Sequence, residues 1–123
     1  MAVEVIVGFG RTGEMFGCDT FGIEPEIMTV AKALSSAYMP ISATIVSDTI
    51  ADAIARHSGK LGVFAHGFTY AGHPVAAAVA LETLRIYRER DIVSQVKAVA
   101  PHFQSRLRAL ASHPLVGEAR GVG

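Results

Sequence analysis

Three closely spaced glycines near the start of the chain constrain its fold more than any other feature. Gly8, Gly10 and Gly13 follow directly on the apolar run Val3-Glu4-Val5-Ile6-Val7. β-Branched residues favour strands, and glycine adopts the backbone conformations that a tight turn requires. The pattern therefore predicts a first strand over residues 3–7 that ends in a glycine turn.

The same glycines match the G-x-G-x-x-G pattern of dinucleotide-binding proteins. Such a site needs a helix that opens inside the motif and an acidic residue at the end of the next strand. Here two further glycines and Pro25 interrupt the segment after Gly13, and the next apolar run ends in Lys32. Nicotinamide dinucleotide binding is therefore disfavoured.

Short apolar runs and helical patterns alternate along the rest of the chain. Proline and capping residues bound most of these segments. The predicted further strands are Ile27–Ala31, Ile41–Val46 and Leu115–Ala119. The predicted helices are one capped by Ser47 or Asp48 that ends near Gly59, one with Pro74 in its first turn, and one capped by Asp91 that Pro101 should kink. This alternation favours an α/β layered fold.

Composition bounds the class of protein. Half of the 123 residues are hydrophobic, which is ample for a core, and eleven basic residues balance eleven acidic ones. The sequence has no basic run that would indicate nucleic acid or an anionic membrane as a partner. It also has no apolar run long enough to span a bilayer. The single cysteine, Cys18, fits a reducing compartment, either as a small apolar filler or as a reactive thiol. No signal peptide is visible, so we expect a cytoplasmic protein.

Lys32 is the main candidate for chemistry. It stands at the end of the predicted strand Ile27–Ala31, where burial of an amine would be costly. A buried lysine loses its proton more easily and can act as a nucleophile towards an aldehyde. The alternative is a lysine whose stem lies along the strand while its ammonium group reaches solvent.

Three segments, in this order, resemble the class III aminotransferases, which are pyridoxal phosphate (PLP) enzymes of fold type I. They are residues 4–13 (EVIVGFGRTG), 25–34 (PEIMTVAKAL) and 66–74 (HGFTYAGHP). The resemblance implies a three-layer α/β/α domain with a mostly parallel sheet. Residues 1–88 would be the C-terminal half of the PLP-binding large domain, and residues 89–123 a linker helix and the start of the small C-terminal domain. Chains of this family are several times longer, so we expect a partial chain.

The resemblance also implies a function and its residues. Lys32 would be the catalytic lysine that forms a Schiff base with PLP, and Thr69 would bind the cofactor phosphate of the neighbouring subunit. The reaction would be transamination from an omega-amino acid or amine to a 2-oxo acid such as pyruvate. A homodimer or higher oligomer is implied, and no metal.

One position departs from the family pattern. An aspartate that keeps the cofactor's pyridine nitrogen protonated usually stands where this chain has Val3. Valine can neither ionise nor form a hydrogen bond there. Two interpretations are open: a truncated piece of an aminotransferase, or a decayed relative that is catalytically silent and at most an interaction module.

Overall fold

The computed structural model describes residues 1–123, and it confirms the α/β class. The strands are β1 (Ala2–Val3), β2 (Ile27–Val30) and β3 (Ala43–Val46), and the helices are α1 (Gly17–Phe21), α2 (Asp48–Leu61), α3 (Pro74–Glu89) and α4 (Ile92–Ala109). Single turns of 3-10 helix cover Lys32–Leu34 and Leu110–Ser112. None of the helices has the length and apolar character needed to cross a membrane.

The three strands form one mixed sheet in the order β1-β2-β3. β1 is parallel to β2, with Val3 opposite Thr29, and β3 is antiparallel to β2, with Ile27 opposite Val46. One of the two strand pairs is parallel and the other antiparallel, so these three strands form a mixed sheet, and the mostly parallel sheet of the larger domain stays a prediction. The connection from β2 to β3 contains only one turn of 3-10 helix, so β3 runs back along β2 without the helical crossover that a parallel pair requires.

β2 ends one residue before the predicted Ala31, and β3 begins two residues after the predicted Ile41. The other two predicted strands differ more. The first ends at Val3, and residues 5–12 form turns, because the Gly8 amide donates to the Glu4 carbonyl (3.2 Å) and curls the chain immediately after β1. The predicted strand Leu115–Ala119 is absent. Leu115 is 88% exposed there, and no strand lies beside this segment to pair with it.

The helix boundaries follow the predicted signals with small differences. Ser47 is the N-cap of α2, but α2 continues to Leu61, two residues past the predicted end. Pro74 occupies the first turn of α3 as predicted. Asp91 precedes α4 in a left-handed conformation, and its side chain makes no capping hydrogen bond. α4 continues unbroken through Pro101.

Glu4 holds the start of α1, a helix that the sequence pattern did not predict. Its buried carboxylate accepts hydrogen bonds from the Gly17 amide (2.9 Å) and the Cys18 amide (2.7 Å). Burial alone would raise the pKa of Glu4, but hydrogen bonds from the Cys18 thiol and these two amides lower it overall. The bond to Glu4, helped by burial, raises the pKa of the Cys18 thiol. Cys18 is therefore a buried packing residue and not an activated nucleophile.

A small apolar core lies beneath the turn that follows β2. Its buried members are Phe9, Val30, Ala33, Leu34 and Ala80. Phe9 contributes from the glycine turn, and its ring meets that of Phe16 edge to face, with centroids 5.6 Å apart. The core thus joins the glycine turn, the end of β2 and α3, and it supports the turn that carries Lys32.

We expect Glu4→Gln to destabilise the fold by about 1–3 kcal/mol, because an amide side chain cannot accept both buried hydrogen bonds. Urea unfolding at low protein concentration measures this difference. The exposed Glu24→Gln is the matched control and should change stability little. Equal unfolding midpoints for the two variants would contradict the role of Glu4.

Stability should also fall in acid through Glu4. The pKa of Glu4 is lower in the folded chain than in the unfolded chain, where it is about 4.3. Its contribution is therefore complete above the unfolded value and is lost as the pH falls through the folded value. Glu4→Gln should show a smaller loss of stability than the wild type over this acidic range.

Candidate active site

Lys32 lies in the turn that leaves the C-terminal end of β2. Ala31 is still extended, and Lys32 then begins the 3-10 turn Lys32–Leu34. The two residues that follow Lys32, Ala33 and Leu34, are buried in the core. The apolar anchors therefore fix the backbone on both sides of a residue whose own side chain remains free.

The Lys32 side chain borders an open hollow of about 250 Å³. Its walls are the turn itself and the chain that leads into β3, and its lining residues are Lys32, Ser35, Ala37, Met39, Pro40 and Ile41. An amine at the rim of such a hollow is accessible to a small molecule. This position suits a group that reacts with a ligand.

The predicted burial of Lys32 is wrong for this chain, because the residue is exposed. The buried end of β2 is Val30, which packs with Phe9 and with Ala80 of α3, and the chain is exposed again two residues later at Lys32. The core beneath this turn therefore holds its backbone and leaves the Lys32 side chain exposed.

The turn that carries Lys32 is strained. Lys32 (φ +45°), Ser36 (φ +50°) and Ala37 (φ +64°) all adopt the left-handed conformation, although none is glycine. Each such residue costs about 1–2 kcal/mol relative to ordinary backbone. Strain of this kind persists only where surrounding structure enforces it, and it is concentrated at functional sites.

Val3 lies on the strand next to the one that delivers Lys32. It is opposite Thr29 in the sheet, and the following amide, that of Glu4, donates to the Thr29 carbonyl (2.8 Å). Neighbouring parallel strands have their C-terminal ends at the same end of the sheet, so Val3 and Lys32 lie at one end of it. Val3 is 63% exposed there and offers no polar atom.

Thr69 lies outside the Lys32 hollow, on an exposed arm formed by residues 62–73. The rings of Phe64, His66 and Phe68 succeed one another along it, with neighbouring centroids 6.0 and 5.7 Å apart. Phe68 and Tyr70, the neighbours of Thr69, line a second hollow that shares Pro40 and Ile41 with the first. Lys32 and Thr69 are thus not brought together within one hollow of this chain.

The glycine motif is required by packing within the chain. A side chain at Gly8 would meet the Glu4 carbonyl at 2.7 Å, and one at Gly13 would lie 3.2 Å from Lys97 of α4. Gly10 also faces α4 and has a positive φ of 95°. Lys97 in turn pairs with Glu14 (2.7 Å). The glycines therefore let α4 approach the turn closely, and the helix amides that a phosphate would need are occupied by Glu4.

One histidine has a clear local role. His73 precedes α3, and its Nδ1 accepts a hydrogen bond from the Ala76 amide (3.4 Å), which caps the start of that helix. No group of three histidine, cysteine, aspartate or glutamate side chains is arranged to hold a metal ion.

Sequence reasoning missed two polar residues, Glu4 and Ser35. Glu4 was visible as a lone acid within an apolar run, but its partners lie thirteen and fourteen residues away. Ser35 is 2% exposed and gives no signal in the sequence beyond its place three residues after Lys32.

The family model of class III aminotransferases matches residues 1–123. The chain belongs to this family, whose cofactor is PLP. A lysine presented at the end of a central strand agrees with that cofactor, which is an aldehyde.

The relatives are transaminases of two named kinds. Gamma aminobutyrate transaminase 3, chloroplastic, of Solanum lycopersicum is 57% identical over 123 residues, which are 100% of this chain and 24% of that protein. Probable gamma-aminobutyrate transaminase 4 of Oryza sativa subsp. japonica is 61% identical over 121 residues, which are 98% of this chain and 25% of that protein. The omega transaminase from Pseudomonas jessenii, solved in complex with PMP, matches 98% of this chain and 27% of its own, with 50% identity and a TM-score of 0.93. The chain spans about a quarter of the length of these relatives.

We expect Ala37→Gly to stabilise the fold by about 0.5–1 kcal/mol, because glycine removes the left-handed strain but adds entropy to the unfolded chain. Urea unfolding gives the difference. Ala55→Gly in the exposed face of α2 is the control and should destabilise by about 1 kcal/mol. If both changes destabilise equally, position 37 is not strained.

Proposed function

We propose that this chain is part of a PLP-dependent transaminase in which Lys32 is the residue that holds the cofactor covalently. The single observation that carries the proposal is the placement of Lys32: an exposed amine on a strained, core-anchored turn at the end of β2, beside an open hollow. When bound, PLP withdraws electrons from the bond that must break at the substrate's amino carbon.

The residues present fit the aldehyde end of the cofactor. The Lys32 residue borders the hollow from a fixed backbone, and with PLP bound its Nζ would accept and return a proton at the substrate's amino carbon. The neighbouring wall of Pro40 and Ile41 is apolar and excludes water from one side. The residues fit the pyridine-nitrogen end of the cofactor less well, because Val3 supplies no hydrogen-bond acceptor there.

Thr69 supports an assembled site. Its hydroxyl and the flanking backbone amides lie on an arm that is exposed in this chain, so they are available to an anion held by another subunit. The exposed rings at Phe64, Phe68 and Tyr70 give the same arm an apolar surface that association would bury. We therefore propose a homodimer or higher oligomer in which Thr69 binds the cofactor phosphate of the neighbouring subunit.

The substrate class is proposed from the relatives. Their names specify gamma-aminobutyrate transaminases and an omega transaminase. We propose that the whole protein transfers an amino group from an omega-amino acid or amine to a 2-oxo acid such as pyruvate.

The finer structural assignments belong to the same proposal. We propose fold type I with its three-layer large domain, with residues 1–88 in that domain and residues 89–123 leading into the small one. α3 ends at Glu89, so a boundary there would separate α3 from α4. A cytoplasmic location also stays a prediction.

One observation favours a second function. Val3 stands at the sheet edge beside Lys32 and cannot ionise, so a chain with this residue lacks the charge that makes the ring an electron sink. The alternative is a catalytically silent subunit that contributes its exposed arm to an assembly.

We expect PLP followed by borohydride reduction to modify Lys32 in preference to Lys60 and Lys97, the other two lysines. The reason is that Lys32 borders a hollow beside which the cofactor ring can rest. Peptide mapping by mass spectrometry gives the modified fraction at each lysine. In Lys32→Ala, modification at the two remaining lysines should be unchanged, which is the control.

Equal modification of all three lysines would contradict the proposed site in this chain. It would favour the silent subunit, whose association can be measured by sedimentation with and without the substitution Phe68→Ser on the arm.

We expect Val3→Asp to increase the retention of PLP several-fold, because a carboxylate at this edge can pair with the protonated ring nitrogen. Equilibrium dialysis of the wild type and the variant measures it. Val3→Asn has nearly the same shape without the charge and should give a smaller increase. Equal retention in the three proteins would show that position 3 does not face the cofactor.

A further inference from the structure

We propose that Ser35 is a positioning residue for Lys32, an inference that rests on the proposed function of that lysine. The Ser35 hydroxyl donates a hydrogen bond to the Met39 carbonyl at 2.6 Å. It is the one side-chain hydrogen bond within residues 32–40, and Ser35 is only 2% exposed. The bond closes the strained turn that presents the lysine.

Five local backbone hydrogen bonds hold residues 31–38 in the turn. The Ser35 amide (3.2 Å) and the Ala37 amide (3.4 Å) both donate to the Lys32 carbonyl, and the Tyr38 amide donates to the Ser35 carbonyl (3.1 Å). These bonds are local and compatible with several turn shapes. Left-handed residues such as Ser36 and Ala37 revert to ordinary backbone unless another constraint holds them.

Ser35 supplies that constraint by joining the two walls of the hollow. Met39 precedes Pro40, and the residue before a proline is restricted to extended backbone, so the Met39 carbonyl is a fixed acceptor. Ser35 and Lys32 stand on one side of the hollow, and Met39 and Pro40 line it as well. The bond therefore fixes the direction of the Lys32 side chain relative to the apolar wall that a ligand would contact.

The hydroxyl acts through this bond and not on a ligand. It is buried, its proton is committed to Met39, and loss of the oxygen would leave the Met39 carbonyl without that partner. Threonine keeps the donor and should replace serine, whereas alanine should not.

The test compares Ser35→Ala and Ser35→Thr with Ser112→Ala, which removes a similar bond, from the Ser112 hydroxyl to the Ala109 carbonyl (2.9 Å), at the end of α4. Each protein is reduced with borohydride in the presence of PLP, and the modification of Lys32 is divided by that of Lys97. A parallel sample is treated with acetic anhydride, which requires an exposed amine but no orientation.

We expect Ser35→Ala to lower the PLP ratio at least threefold while the acetylation ratio stays within a factor of 1.5, and Ser35→Thr to restore the PLP ratio. General destabilisation of the fold would change the PLP ratio and the acetylation ratio together, and Ser35→Thr would not restore them. An unchanged PLP ratio in Ser35→Ala, or an equal fall in Ser112→Ala, overturns the positioning role.

Hydrogen exchange separates this proposal from the proposed function. If the wild type shows no preference of PLP for Lys32, the proposed function fails. The constraint that Ser35 places on the turn is then judged from the hydrogen-exchange rates of the Ala37 and Tyr38 amides, compared with the rates of amides in the middle of α4. Faster exchange of these two amides in Ser35→Ala supports the constraint that Ser35 places on the turn, and unchanged exchange overturns it.

Discussion

The buried hydrogen bonds of Glu4 determine how the rest of this chain is arranged. By binding the Gly17 and Cys18 amides, the carboxylate draws the residues between β1 and α1 into a closed loop. That loop places Phe9 in the core below the Lys32 turn and presents the glycines to α4. A single buried charge, compensated by helix amides, thus links the sheet to the long helices, although only a few residues are fully buried.

Features that depend on near neighbours could be predicted from the sequence. Pro74 and Ser47 mark helix starts because their backbone preferences act within one turn. The position of Lys32 after an apolar strand, together with the three family motifs, was sufficient to identify the family and its cofactor. These signals are local, or are read from fixed residue types at fixed spacing.

Features that depend on distant partners could not be predicted in the same way. The existence of α1 follows from the Glu4 side chain reaching residues more than ten positions away. The alternating pattern of β3 is the same for either direction, and its antiparallel pairing is seen only in its register with β2, where Ile27 lies opposite Val46. The burial of Lys32 failed as a prediction because it depends on what packs over the strand end, which no local pattern contains.

In the candidate site, one strand sets the position of the Lys32 amine, and a different strand carries the position from which a charge would activate the bound ring. β2 and its strained turn fix where the amine stands, whereas β1 carries the residue that would face the other end of a bound ring. These are adjacent strands with different roles, so one can be altered while the other is kept. We propose that valine on β1 leaves in place the lysine that would bind an aldehyde but supplies no charge for the other end of the ring. Binding the aldehyde and activating the bound ring are therefore distinct properties of this fold. A lysine placed to bind the aldehyde does not by itself establish that the ring is activated.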